Sequence, residues 1–367
     1  MINEKRLLDT FFDYVMIDSE TKNEKAMGEK LVEDLKVLGL EVKTDKAGEG
    51  FGSNGFNVCA YLPGTIPGDP TIMCAHMDTV TPGNGIRPLV DDGIIHTDGS
   101  TILAGDDKSG IAAIIDGIKV IKEQNIPCRN TEILFTIGEE GGMNGVKNMD
   151  LSMIKGKEAM VFDASGDIGK ILTCGPGQIK IFATIIGKSS HAGLAPEEGI
   201  SAIQVAAKGI AKMNLLRIDE ETTCNIGTLK AEYATNIVPE KAEFVAEVRS
   251  RNLDKLNAQA AHMQKCLQDA CDEMGAKLEI ELKTNYVSFN VENDDPIVQS
   301  VFESCKRLGY QAVTANGGGG SGSGRQLGVL GSKILAKGSD HNHQQDNAEE
   351  NDGIAQQCVD TGLANGN

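Results

Sequence analysis

Three short polar clusters carry side chains of the kind that bind metal ions and move protons. His76 and Asp78 stand in Ala75-His76-Met77-Asp78-Thr79-Val80, where an apolar run ends. Asp106 and Asp107 stand in Gly105-Asp106-Asp107-Lys108-Ser109-Gly110, and Glu139 and Glu140 in Gly138-Glu139-Glu140-Gly141-Gly142. A further acid, Asp163, closes the apolar segment Ala159-Met160-Val161-Phe162. A His and an Asp two residues apart after a strand can put the imidazole on a metal while the carboxylate holds the other ring nitrogen. Adjacent glutamates at a strand end repel unless something positive lies near them, and a metal-binding Glu beside one that binds none suits the activation of water. Each cluster also has a plain alternative: a polar turn for His76 and Asp78, a helix N-cap for the Asp pair, a solvated turn for the Glu pair. The glycines flanking the Asp pair favour the functional reading, because they would permit a strained turn under a carboxylate that bridges two ions.

Two zinc ions a few ångströms apart need a shared carboxylate, a His or carboxylate on each ion and an unligated base, all within about 4 Å of one another. His76, Asp106, Glu140 and Asp163 fill most of that set. The second imidazole is missing until Asp340-His341-Asn342-His343.

These residues need a sheet to present them. Leu7, Leu8, Phe11, Phe12 and Val15 mark one helical stripe, and Met27, Leu31, Leu35 and Leu38 mark a second that Gly39 ends. Strands are predicted at Asn57 to Leu62, Thr71 to Ala75 and Glu132 to Ile137, with a helix between the last two striped by Ile111, Ile114, Ile115, Ile118 and Ile121. That alternation predicts an α/β sheet with helices on its faces, and ligands of such sheets bind at the carboxyl ends of the strands.

From Gln178 the pattern changes to strand (Ile179 to Ile186), helix (Ile200 to Leu215), strands (Thr222 to Lys230 and Lys241 to Ser250), helix (Leu253 to Met274) and strand (Lys277 to Asn285). This β-α-β-β-α-β order is ferredoxin-like. A helix from Pro296 to Leu308 resumes the earlier style, so residues 178–287 are expected to form a domain inserted into a catalytic domain of residues 1–177 and 288–367. Gly317 to Gly324 is almost all glycine and serine, and the last thirty residues lack helical periodicity.

The 367 residues exceed what one compact core usually serves. With 53 acidic against 35 basic residues the net charge is -18, which repels phosphate backbones and anionic lipid, so neither nucleic acid nor membrane is an expected partner. The nine cysteines are dispersed without CxxC spacing and read as reduced core residues. Met1 to Asp18 is amphipathic and of mixed charge, unlike a secretory leader, and the expected location is the cytoplasm.

Taken in order, HMDTV, GDDKSG, GEEGG, the Asp163 turn, GKSSHAG and TNIVPE make the chain resemble the peptidase T-like branch of the co-catalytic di-zinc metallopeptidases, from Met1 to about Ala315. The resemblance implies a mixed-sheet di-zinc catalytic domain with an inserted ferredoxin-like lid, and hydrolysis of short peptides by an aminopeptidase. It implies two Zn2+ per chain: His76 and Asp163 on one, Glu140 and His343 on the other, and Asp106 bridging. Glu139 would be the general base and Asp78 the partner of His76. His191 in Gly187-Lys188-Ser189-Ser190-His191-Ala192-Gly193 would stabilise the oxyanion from the lid, and Asn236 and Arg249 would contact substrate. A homodimer through the lid also fits the resemblance. His96 and His262 match nothing in it. The C-terminal part departs from the pattern: relatives carry Gly-Gly-Gly-Ser-Asp-Ala where this chain has Gly318-Gly319-Gly320-Ser321-Gly322-Ser323. The spacing from that run selects His343 over His341. The rival readings are a carboxypeptidase or N-acyl amino acid hydrolase on the same metal site, and a non-catalytic peptide- or metal-binding protein.

Overall fold

The computed structural model describes residues 2–163, 166–317 and 333–336. It divides into two compact units, one built from Met1–Thr173 and the chain from Val291 onward, the other from Cys174–Asn290.

In the first unit the strands run, in spatial order, Glu41–Thr44, Val58–Leu62, Arg129–Thr136, Ile66–His76, Glu158–Val161, Lys333–Ala336 and Lys170–Gly175. Three of them, Arg129–Thr136, Ile66–His76 and Glu158–Val161, are parallel neighbours, with His76 opposite Thr136 and Cys74 opposite Val161. Their carboxyl ends therefore open at one edge. Burial explains their composition: Ile72, Cys74, Ala75, Ile133, Leu134, Phe135 and Ala159 are all wholly buried, the pattern of strands covered on both faces. The strand at Lys333–Ala336 pairs in parallel with Glu158–Val161 and was not foreseen from the sequence.

The helix Glu4–Val15 starts at Asn3, whose side chain accepts the Arg6 amide, and buries Phe11, Tyr14 and Val15. The helix Lys25–Val37 buries Met27, Leu31 and Leu35 before Gly39, at φ +73°, turns the chain out. The long helix Gly105–Gln124 buries Ile111, Ile114, Ile115 and Ile118. It is tied to the first helix by Arg6, whose guanidinium reaches Asp116 at 2.5 Å and Glu123 at 2.5 Å.

The second unit is an antiparallel sheet in the spatial order Leu216–Arg217, Thr222–Lys230, Lys241–Ser250, Gly177–Ile186 and Lys277–Tyr286. The helices Ala202–Ala211 and Leu253–Met274 bury Val205, Ala206, Leu256, Met263 and Leu267 with Ile181, Ile185, Phe244 and Val248 of the sheet. This is the ferredoxin-like arrangement with one short edge strand added. The first of these helices ends earlier than the predicted Leu215, because Leu216 is drawn into pairing with Cys224 and the Asn214 carbonyl is taken by Gln259 Nε2 at 2.8 Å.

Gly110 has a steric role that its place in the motif does not reveal. A Cβ there would collide with Asp107 Oδ1 and the Phe162 carbonyl oxygen, so the helix packs against the Asp163 strand end only with glycine at this point. Gly110→Ala is expected to cost about 1–3 kcal/mol of stability by overpacking, measured by urea unfolding.

Candidate metal centre and general base

The three parallel strand ends and the start of the long helix converge on one cluster. His76 is the last residue of its strand, Glu139 and Glu140 follow the strand on one side, and Asp163 follows the strand on the other. Ligating atoms of His76, Asp106 and Glu140 lie within 4.8 Å of one another, and so do those of His76, Glu139 and Asp163. His76 Nε2 is 2.9 Å from Asp106 Oδ1, and its Nδ1 is 2.9 Å from the backbone oxygen of Asp78. The Asp78 carboxylate stands farther from that ring, at 3.4 Å. What it chiefly does is accept the amides of Glu139 at 2.9 Å and Glu140 at 3.2 Å.

Asp106 and Asp107 both have non-helical backbone angles, and their peptide bond is cis. The left-handed residue of this turn is Ala104, at φ +62°, not a flanking glycine; Gly110 serves close packing instead. Asp107 was not singled out from the sequence as a site residue, yet it is buried and accepts the His76 amide on Oδ2 at 3.2 Å. Lys108 is also wholly buried, its ammonium donating to the Ile17 carbonyl at 2.6 Å, and burial pushes its pKa down to about 7.

Whether these residues fit a cation is answered by their electrostatics. Burial first, and then Asp106, push Glu140 up to about 9. Burial and the neighbouring Asp106 and Glu139 raise Asp163, and burial with Asp163 raises Asp107. Burial alone would lower His76, but hydrogen bonds to Asp106 and Asp78 reverse it, and the imidazole holds its proton well above the usual range. Asp163 Oδ2, buried, has no hydrogen-bond partner among the described residues. A cluster that retains protons on its acids and on its imidazole, and leaves a buried carboxylate oxygen unmatched, lacks positive charge; divalent cations fit it. The oxygen and nitrogen donors suit ions of the zinc type. The two donor groupings divide Glu139 and Glu140 between them, so proximity alone does not separate ligand from base.

In the other unit, His191 is exposed and accepts the Gly193 amide on Nδ1 at 3.1 Å. Its loop meets the Asn236 loop: Ala192 donates to the Asn236 carbonyl at 2.9 Å, and His191 bridges Ile237. Arg249 is not part of this group. It lies opposite Gln178, whereas the Asn236 loop leads into Lys241 opposite Ile186, so roughly 25 Å of sheet separates them. Its guanidinium is held by Glu247 at 2.8 Å. The expected ligand His343 lies outside the described residues. His96 pairs with Asp91 at 2.6 Å, and His262 accepts the Asn214 amide at 3.2 Å.

Sequence and structure comparisons agree with this division. The family described as Peptidase family M28 matches residues 57–178, and the Peptidase dimerisation domain matches residues 176–275. The protein YqjE of Bacillus subtilis (strain 168) is 42% identical over 88% of this chain and 86% of its own length. The crystal structure of aminopeptidase PepT from Bacillus cereus ATCC 10987 superposes with a TM-score of 0.89 at 37% identity, covering 98% of both chains. That of a tripeptidase from Staphylococcus aureus subsp. aureus Mu50 gives 0.88 at 35% identity, over 98% of this chain and 99% of that one. The fold and the carboxylate-rich strand ends define the class of the M20 metallopeptidases. Within it, the chain belongs to the peptidase T-like branch.

The pKa directions fix the sign of a pH effect. Glu140, Asp163, Asp107 and His76 all bind protons more tightly folded than unfolded, so the contribution of these four groups to the stability of the metal-free protein is fully present below the ordinary carboxylate range and is lost as pH rises toward about 9. Melting of metal-stripped protein across pH 5 to 9 is expected to show this fall, and saturating divalent metal to raise Tm most at the alkaline end.

Proposed function

We propose that this protein is a zinc-dependent exopeptidase that hydrolyses the amide bond of short peptides, acting as an aminopeptidase on tripeptides or dipeptides. The observation that carries the reading is the convergence of His76, Asp106, Glu140 and Asp163 with a further acid, Glu139, beside them. His76 and Asp163 would hold one zinc ion, Glu140 and His343 a second, and Asp106 would bridge them. Bound there, such ions supply Lewis acidity that polarises a carbonyl and makes water acidic near neutral pH.

The remaining work belongs to the chain. Glu139 removes the proton of the attacking water and returns it to the departing amine, which needs a carboxylate held at fixed distance from the cluster. Asp78 provides that restraint by gripping the Glu139 and Glu140 amides. His191 donates to the developing oxyanion, and Asn236, from the adjoining loop, contacts the substrate backbone. A tripeptide spans only about 10 Å, so a single lid does not offer it both Asn236 and Arg249, the two residues expected to contact substrate. Association through the lid is supported by the dimerisation-domain match, and a cytoplasmic location is consistent with the absence, among the described residues, of a helix long and apolar enough to cross a membrane.

Glu139→Gln is expected to keep metal content near that of the parent while turnover falls about 100- to 10,000-fold. Equal loss of metal and activity, by elemental analysis and peptide assay, would make Glu139 a ligand. Tripeptides with a free amine are expected to be cleaved in preference to N-blocked ones; the reverse preference would reassign the protein to N-acyl hydrolysis.

A further inference from the structure

The turn that carries Glu139 and Glu140 is fixed in an unusual way. Four consecutive amides, from Ile137 to Glu140, all donate to side chains instead of to a sheet neighbour. Ile137 donates to Asn57 Oδ1 at 3.1 Å, Gly138 to Glu24 Oε1 at 3.1 Å, and Glu139 and Glu140 to the two Asp78 oxygens. Asn57, Glu24 and Asp78 are all wholly buried. Gly138 is at φ +61°, so its amide points away from the ladder and depends on whatever acceptor meets it.

Glu24 meets it from the start of the helix Lys25–Val37, and its second oxygen accepts the Ser53 hydroxyl at 2.5 Å. The segment before it is stitched to the His76 side of the site. Thr21 donates its amide to the Thr79 carbonyl at 3.1 Å and its hydroxyl to Asp78 Oδ2 at 2.8 Å, and Thr79 donates back to the Ser19 carbonyl at 3.0 Å. Residues 19–24 thus bracket two loops: one presenting His76, the other presenting the general base. A buried carboxylate among other acids is costly, and burial raises its pKa further. A carboxylate at this buried position makes hydrogen bonds that an apolar side chain would not.

We infer that Glu24 is a positioning residue of the reaction: by its reach to the Gly138 amide it sets where the Glu139 carboxylate stands. This rests on the peptidase reading for its catalytic consequence, but the restraint itself is measurable without turnover. Glu24→Asp keeps the charge and withdraws the acceptor by one methylene; Glu24→Gln keeps the reach, with the amide oxygen on Gly138 and the amide nitrogen donating to Ser53 Oγ. If reach is what matters, Glu24→Asp lowers kcat about 10- to 100-fold with KM within about threefold, and Glu24→Gln stays within a few-fold of the parent.

Hydrogen exchange at residues 137–140 of the metal-free protein is expected to follow the same order, at least about tenfold faster in Glu24→Asp and near parental in Glu24→Gln. The opposite order, or two variants that share one loss of Tm, activity and protection across the whole molecule, would overturn the positioning role. Should the parent cleave no peptide, the peptidase reading fails, while the exchange order still decides the role of Glu24.

Discussion

Everything in the catalytic unit is arranged around an electrostatic debt. Among the described residues, the carboxyl groups of Asp78, Asp106, Asp107, Glu139, Glu140 and Asp163 are gathered about the imidazole of His76, with Asp78, Asp107 and Asp163 buried. Acids so placed cannot all be ionised unless compensating charge is supplied, and in the protein alone the compensation is protons. Cations replace those protons with charge that does not leave at neutral pH. The same residues that destabilise the empty cluster are therefore the ones that would give it metal affinity.

The fold makes such a gathering affordable by spreading its anchors over separate elements. Three adjacent parallel strands end at one edge and each delivers one piece: His76, the Glu139–Glu140 turn and Asp163 each stand at or just past the end of a strand with a buried core. The long helix adds Asp106 and Asp107 through a turn that only glycine at position 110 lets close against Phe162. Around this first ring lies a second of acceptors, Asn57, Glu24 and Asp78, that hold the Glu139 turn by its amides. Rigidity of that kind is what proton transfer at fixed distance requires.

The convergence of His76, the Glu139–Glu140 pair and Asp163 was legible in the sequence because each follows an apolar run, and strand ends of an α/β sheet are where ligands collect. The lid was legible in its periodicity, from Thr222–Lys230 to Leu253–Met274. The supporting ring was not. Glu24 and Asn57 sit in ordinary polar surroundings in the sequence, and only folding shows that their acceptors meet amides 114 and 80 residues away. Asp78 was recognised for only one of its contacts: its carboxylate lies 3.4 Å from His76 Nδ1, and it also accepts the amides of the Glu139 loop. The glycines around Asp106 and Asp107 were read as conformational, whereas the left-handed position is Ala104 and Gly110 is needed for space. Local pattern identifies donors; it does not say which partner wins when several compete.

The central claim is that one carboxylate, Asp106, stands between two metal ions. Anomalous X-ray scattering from crystals of the zinc-loaded protein tests it most directly. The account predicts two peaks flanking the Asp106 side chain, one also in contact with His76 and Asp163 and the other with Glu140. A map with no peak within bonding distance of Asp106, or with metal bound only at surface acids, would contradict it.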